Sequence, residues 1–446
     1  VLPKSDIIAA IATAPGRGGI GIIRISGSAL DQLALGILGK IPAARQISFC
    51  SFLDSDDSVI DQGLALYFPD PHSYTGENII ELQGHGGPAV LQLVLQRCLQ
   101  LGARLAMPGE FTQRAFLNNK LDLAQAESVA DLIDATTSQA AKSAMRSLLG
   151  DFSRKVHQLL SQLIDLRMLV EAMLDFPEEE LDTPDISKRE AKLSTITIDL
   201  QKTLAIAQQG SLLREGAQIV LIGQPNVGKS SLLNCLSGEE TALVSDIPGT
   251  TRDVIRQTIQ LNGIPLHILD TAGLRESEDT VELMGIARTR STIQQADAIL
   301  LMIDANHGIS PEDEKILLEL PSKTPRLYIF NKIDLLSELP HEQIYQGEEI
   351  IYLSAKTGLG MDQLHEKLLS LIGWHQEAGV FMARERHIRA LLFAQHHLHN
   401  AGKLILTAEF FAEELRLAQE SLNSITGEFS ADDLLGEIFS RFCIGK

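Results

Sequence analysis

The stretch QIVLIGQPNVGKSSLLNCLSG, residues 218–238, decides the fold. An apolar, β-branched run is followed by a glycine-containing loop, and the loop opens onto a leucine-rich helical segment. Inside it, GQPNVGKS (223–230) fits the spacing GxxxxGK[ST]. Between a strand and a helix, that spacing marks a phosphate loop. Glycines let consecutive backbone N–H groups wrap phosphate oxygens, and the helix N-terminus adds positive potential. Lys229 is expected to reach the β- and γ-phosphates, and Ser230 to ligate Mg2+. The plain alternative, a glycine-rich turn, leaves the flanking strand and helix unexplained.

Four segments follow in order, three of them directly after predicted strands. PGTTRD (248–253) offers Thr250 and Thr251 to a switch loop, with Thr251 closing on Mg2+. DTAG (270–273) follows LHIL, so Asp270 supports Mg2+ indirectly and Gly273 senses the γ-phosphate. NKID (331–334) follows LYIF, and Asn331 and Asp334 suit guanine, because a carboxylate accepts from both N1–H and the 2-amino group. SAK (354–356) follows the last strand and faces the base. Together these segments resemble the GTPase superfamily. The nucleotide-contacting set is then Asn226, Val227, Gly228, Lys229, Ser230 and Ser231; Ser245, Asp246, Ile247, Pro248, Gly249, Thr250 and Thr251; Asp270, Thr271, Ala272 and Gly273; Asn331, Lys332 and Asp334; Ser354, Ala355 and Lys356. Ras-type GTPases place a glutamine directly after DTAG to orient water. Here Leu274 stands there, so another group must do that work. By composition alone, Glu282 in EDTVELMG is one of many acids on a solvated loop.

The 446 residues imply about three domains on the usual length prior. No apolar run is long enough to cross a membrane. The start, VLPKSDIIAAIATAPGRGG, lacks the pattern of a secretory signal. Cys50, Cys98, Cys235 and Cys443 are scattered, with no CxxC pair, which argues against a disulfide framework or structural zinc and fits a reducing, cytoplasmic setting. A net charge of -20 repels bare nucleic acid over most of the surface, so work on RNA needs a local basic patch or a basic partner.

Residues 1–118 mix short strands such as IGIIRIS (20–26) and GLALYF (63–68) with helical stretches. In 119–210, Val156, Leu159, Leu160, Leu163, Ile164, Leu166, Val170, Met173 and Leu174 recur at helical spacing, and Pro177 with its acidic run ends that helix. A further helix closes at Gly210. Residues 211–375 alternate strand and helix, implying a mostly parallel doubly wound sheet. Residues 376–446 are helical again. The expected fold is multidomain α/β and α: a mixed α+β N-terminal domain, a discontinuous helical domain (119–210 and 376–446) and an inserted P-loop GTPase α/β domain. Two separate helical modules are the alternative.

APGRGGIGIIRISG, SYTGENIIELQGHGG, PGEFTQRAFLNNKLDLAQAE, the GTPase segments and the closing FCIGK, in that order along nearly the whole chain, resemble the MnmE (TrmE) family of tRNA-modification GTPases. The resemblance implies a homodimer built by the N-terminal domain, and a heterotetramer with an MnmG-type FAD-dependent partner. It implies modification of carbon 5 of the wobble uridine in certain tRNAs. The one-carbon unit comes from a tetrahydrofolate derivative, in the 5-formyl or 5,10-methylene form. GTPase units meet in the GTP state, stabilised by K+ on Asn226, backbone oxygens of Ser245 and Ile247, and the Thr250 position. A cation there can do the work of an arginine finger. Glu282 aligns with the family's water-positioning glutamate. Arg24, Glu81, Lys120 and Lys446 match folate-contacting positions; without the family, Arg24 and Lys120 read as surface cations.

Cys443 in the RFCIGK tail either joins the one-carbon chemistry or rides on a docking element. As a nucleophile it needs a depressed pKa, which Arg441 and Lys446 favour. CIGK is not a prenylation signal. GRGGIG (16–21) satisfies GxGxxG, but a strand follows it, where a dinucleotide site needs a helix. In QHHLHN (395–400), His396 and His399 share a helical face without an acidic or cysteine neighbour in sequence. Two competing functions remain: a GTP-controlled ribosome-assembly factor, and a dimeric GTP switch without folate chemistry.

Overall fold

The computed structural model describes residues 6–175, 183–239, 256–270, 293, 296–321, 324–345, 347–375, 379–427, 438–439, 442 and 445. The chain divides into two compact units, one of residues 1–133, 147–199 and 390–446, the other of 134–146 and 200–389.

In the first unit, six strands form a sheet in the order β3-β4-β5-β2-β1-β6. They are β1 (Ile7–Ile11), β2 (Gly18–Gly27), β3 (Ser48–Leu53), β4 (Val59–Phe68), β5 (Asn78–Gly86) and β6 (Ala103–Leu105). Pairing is antiparallel except for β1 with β6. Alternation along β1 and β2 separates two faces. One carries Ala9, Ile23 and Ile25 into a core with Leu33 and Ile37 of α1 (Asp31–Leu38) and Leu91, Val94 and Cys98 of α2 (Pro88–Gln100). The other carries Ile8 and Ala10 against Phe111. The GRGGIG segment runs into a strand, β2, which begins at Gly18, and not into a helix.

The helices α3 (Glu110–Leu117), α4 (Leu123–Asp134), α5 (Ser138–Leu148) and α6 (Asp151–Asp175) come next. In α6, Val156, Leu159, Leu160, Leu163, Leu166 and Val170 are buried, whereas Ile164 and Leu174 are exposed. The expected stripe is therefore narrower, and Ile164, about 100° on from Leu163, falls outside it. α6 packs on the helix Ala408–Thr426, where Arg167 donates to Gln419 Oε1 at 2.6 Å.

In the second unit, seven strands follow the order β12-β13-β11-β10-β7-β9-β8. They are β7 (Ala217–Gly223), β8 (Arg256–Leu261), β9 (Ile264–Asp270), β10 (Ala298–Asp304), β11 (Arg326–Asn331), β12 (His341–Tyr345) and β13 (Glu348–Tyr352). β7, β9, β10, β11 and β13 pair parallel; β8 and β12 are antiparallel at the two edges. The central strand AILLMID is buried at nearly every position, as a strand covered on both faces must be. β12 carries no apolar alternation, which is why the sequence did not announce it.

α7 (Thr183–Glu215) does not close at Gly210 but continues for five more residues. Gly210 is a packing glycine: a Cβ there would lie 1.9 Å from the Phe381 carbonyl oxygen. The chain then turns through Gly216, at φ 72°, directly into β7. No helix among the described residues is long and apolar enough to cross a membrane.

Candidate functional site

The phosphate-loop residues connect β7 to α8 (Lys229–Glu239). The loop is shaped by what its glycines lack. A Cβ on Gly223 would sit 2.4 Å from the Met302 carbonyl oxygen, and one on Gly228 would sit 2.3 Å from Asn331 Nδ2. Asn226 takes a left-handed conformation at φ 67°, which asparagine tolerates better than most residues. Val227 is buried, while Asn226, Ser230 and Ser231 are exposed. The Lys229 ammonium donates to the carbonyls of Gly223 at 2.6 Å and Gln224 at 3.0 Å, so it lies over the loop it belongs to.

Asn331, at the end of β11, is buried and ties three loops together. Its Nδ2 donates to the Val227 carbonyl at 2.7 Å, and its Oδ1 accepts from the Ala355 N–H at 2.9 Å. The NKID, SAK and phosphate-loop segments, more than a hundred residues apart at the extremes, are thereby fixed to one another. Ser354 Oγ donates to Asp334 Oδ1 at 2.7 Å and orients that carboxylate. Lys332 sits at φ 73° and donates to Asp304 Oδ2 at 2.7 Å. Burial raises the Asp304 pKa, but the Lys332 ammonium and Asn306 outweigh it and hold it at about 2. Sequence reading placed Asn331 at guanine; its structural bonds to Val227 and Ala355 were not foreseen.

Of the other expected nucleotide contacts, Asp270 is the last residue of β9. Ser245, Asp246, Ile247, Pro248, Gly249, Thr250, Thr251, Thr271, Ala272, Gly273 and Glu282 lie outside the described residues, as do Cys443 and Lys446.

A second constellation lies in the first unit. Arg24 on β2 and Glu81 on β5 are cross-strand partners, and Arg24 Nε donates to Glu81 Oε1 at 2.9 Å. The guanidinium carbon is 5.5 Å from the Tyr74 ring centroid and 5.8 Å from that of Phe111. Arg24 Nη1 also donates to the Gly445 carbonyl at 3.4 Å. Gly445 is held against β1, where a Cβ would meet the Ile11 carbonyl oxygen at 2.5 Å. Lys120 Nζ donates to the Pro71 carbonyl at 3.0 Å. Burial pushes the Tyr74 phenol up, partly offset by its bond to Thr112 and by Arg24. Close by, a mostly apolar cavity of about 670 Å³ is lined in part by Ile11, Ala12, Pro88, Leu91 and Leu105.

A buried ion-pair network, not anticipated from sequence, supports this region. Glu110 accepts from Arg104 Nη1 and Nη2 at 2.8 and 2.6 Å, from Arg114 Nη2 at 3.1 Å and from the Met107 N–H at 2.8 Å. Arg114 also reaches Glu77 at 2.9 Å and Asp6 at 2.8 Å. Glu77 accepts from Ser26 Oγ at 2.9 Å, which pins the loop carrying Pro71 and Tyr74. Glu110 and Arg114 sit one helical turn apart in the PGEFTQRAF segment, the signal that could have revealed them.

Cys50 and Cys98 are buried free thiols, and burial pushes Cys98 up to about 12, too high for a nucleophile. In QHHLHN, His397 has an acidic partner that the sequence did not reveal: Nδ1 lies 2.8 Å from Glu414 Oε2 on the helix Ala408–Thr426. Among the described residues, no cluster of three His, Cys, Asp or Glu side chains is arranged to hold a metal.

The family description "MnmE helical domain" matches residues 123–443, and "GTP-binding protein TrmE N-terminus" matches residues 7–120. The tRNA modification GTPase MnmE of Nitrosomonas europaea is 58% identical over 451 aligned positions, covering 100% of both chains. That of Nitrosospira multiformis is 59% identical, again covering 100% of both. A solved structure of Aquifex aeolicus Era bound to GDP and AlF4- is 25% identical over 41% of this chain and 66% of that one, with a TM-score of 0.28. With relatives this similar along its whole length, the chain belongs to the MnmE family of tRNA modification GTPases.

Proposed function

We propose that this chain hydrolyses GTP in a K+-stimulated reaction. With an FAD-dependent partner of the MnmG type, it uses that cycle to modify carbon 5 of the wobble uridine in certain tRNAs, with a one-carbon unit carried by a tetrahydrofolate derivative. The single observation that supports the folate half best is the environment of Arg24. One guanidinium there touches a carboxylate, two aromatic rings and a carbonyl of the C-terminal tail. A ligand with a flat hydrogen-bonding ring and carboxylates matches that chemistry. Glu81 is suited to accept from the ring's amino and N–H groups, Arg24 and Lys120 to meet carboxylates or carbonyls, and Lys446, the residue after Gly445 in sequence, would add a further cation.

For GTP, the glycine cradle at Gly223 and Gly228 and the ammonium of Lys229 suit phosphates, and the Ser354-oriented carboxylate of Asp334 suits guanine. Ser230 and Thr251 would hold Mg2+, with Asp270 behind them. Asn226, Ser245, Ile247 and Thr250 would hold K+, since neutral amide and carbonyl oxygens suit a hard monovalent cation. Bound there, these ions supply positive charge where negative charge develops on the phosphates. Glu282 would position the attacking water. GTP-driven pairing of the two GTPase units of a homodimer would reshape the surface shared by folate and partner. Cys443 would lie close to the one-carbon donor, as nucleophile or as part of a docking tail.

The test is calorimetric titration of 5-formyltetrahydrofolate into the full chain and into Arg24→Ala. Specific binding that the substitution weakens about tenfold or more is expected, as for loss of a charge-assisted bond. No binding to the wild-type chain, with GTP hydrolysis intact, would leave a GTP switch or a ribosome-assembly factor as the reading.

A further inference from the structure

The second unit contains a short piece of chain, residues 134–146, that is remote in sequence from the rest of it. Thr137 is the residue that seats this piece. It is buried, and its Oγ1 donates to the Gly263 carbonyl at 2.8 Å while accepting from the Ala140 N–H at 3.0 Å. One hydroxyl thus caps α5 and binds the turn between β8 and β9. That turn has Asn262 at φ 50° and Gly263 at φ 83°, the conformation that tight hairpins require. Gly263 also makes room for α5: a Cβ on it would lie 2.8 Å from Gln139 Cβ.

The other end of the same hairpin carries the nucleotide-facing segments. β9 ends on Asp270, and β8 begins five residues after Thr251. β8 is an edge strand, so of the two strands only β9 is held by the sheet's interior, through β7. Further along α5, Ser143 Oγ donates to the Val380 carbonyl at 2.9 Å, and Met382 N–H donates to the Ser143 carbonyl at 3.4 Å. Phe381, between them, is the residue that packs on Gly210 of α7. Hydrogen bonds therefore run from the hairpin to α5 and from α5 to the segment 380–382, which packs closely on α7 at Gly210.

We propose that Thr137 is a positioning residue that transmits the nucleotide-dependent position of the β8–β9 hairpin to α5. Displacement of the hairpin at its nucleotide end is felt at its turn, and Thr137 is the bond by which α5 follows. The proposal rests on GTP binding by the phosphate loop, and not on the folate reading.

The test is amide hydrogen exchange on the full chain with GDP and with a non-hydrolysable GTP analogue, each with Mg2+ and K+. Peptides covering 134–146 and 256–270 are followed in wild type, Thr137→Val and Thr137→Ser. In wild type, both peptides are expected to change exchange between nucleotides, the α5 amides by about fivefold, as for one hydrogen bond made or lost. In Thr137→Val, the hairpin peptide should still respond and the α5 peptide should not, with GTP hydrolysis kept within about twofold. Thr137→Ser should restore the response. Gly263→Ala, which disturbs the same seat from the hairpin side, serves if Thr137→Val does not fold. A 134–146 peptide indifferent to nucleotide in wild type, or still responsive in Thr137→Val, would overturn the proposal. Failure of either nucleotide to bind in calorimetry would instead overturn the GTP site on which it rests.

Discussion

Asn331 Nδ2 donates to the carbonyl of Val227 at 2.7 Å, across 104 residues of chain. A residue expected at the base is thus also the fastener between the guanine-side and phosphate-side loops. Asn331→Ala should weaken GTP and GDP binding together by about ten- to a hundredfold, since a buried bonding group left unmet costs about 1–3 kcal/mol. Fluorescent-nucleotide titration measures this. Unchanged affinity would mean that the loops hold their places without it.

Glu282→Ala should leave GTP affinity near wild type and slow hydrolysis by about a hundredfold, the scale of lost general acid–base or positioning help. Single-turnover hydrolysis beside a binding titration separates the two. A variant with full activity would return Glu282 to an ordinary acidic loop. In the same assay, exchanging K+ for Na+ should slow hydrolysis; equal rates would remove Asn226 from cation binding.

Gly210→Ala sets two effects against each other. Alanine favours an exposed helix interior by about 1 kcal/mol over glycine. Here the added Cβ would meet the Phe381 carbonyl oxygen at 1.9 Å. Steric displacement wins, and a net loss of about 1–3 kcal/mol is expected from urea unfolding. A stabilised variant would show that the Phe381 segment moves aside easily.

Acid should destabilise the N-terminal region through Glu110 and Asp6. Burial raises both pKa values, but the bonds from Arg104 and Arg114, and for Glu110 also from the Met107 N–H, outweigh it and hold both below their ordinary values. A carboxylate with a lowered folded pKa contributes stability that is complete above its unfolded value, about 4, and is lost as pH falls through the folded one. Urea midpoints should therefore hold from pH 7 to 5 and drop below pH 4. Glu110→Gln should cost about 1–3 kcal/mol at neutral pH, because the buried Arg114 keeps Asp6 and Glu77, and the part-exposed Arg104 keeps Asp6, but both lose their bonds to a buried carboxylate. A flat pH profile in wild type would contradict the network.

The sequence by itself determined the GTPase motifs, their order and their placement at strand ends. Each depends on a short local pattern: glycines where backbone must approach phosphate, apolar runs for covered strands, a helix start after the loop. It also carried the family blocks, and with them Arg24, Glu81 and Lys120 as candidates. Tertiary structure alone decided what those residues touch. Gly210 reads as a helix stop until Phe381 is seen against it. Nothing in the local sequence singles out Thr137, whose partner Gly263 lies 126 residues away. Arg24 reads as a surface cation until Glu81, Tyr74 and Gly445 surround it. The reason is physical: local patterns report propensity and one-sided burial, whereas hydrogen bonds and close packing between distant segments depend on where the folded backbone brings them.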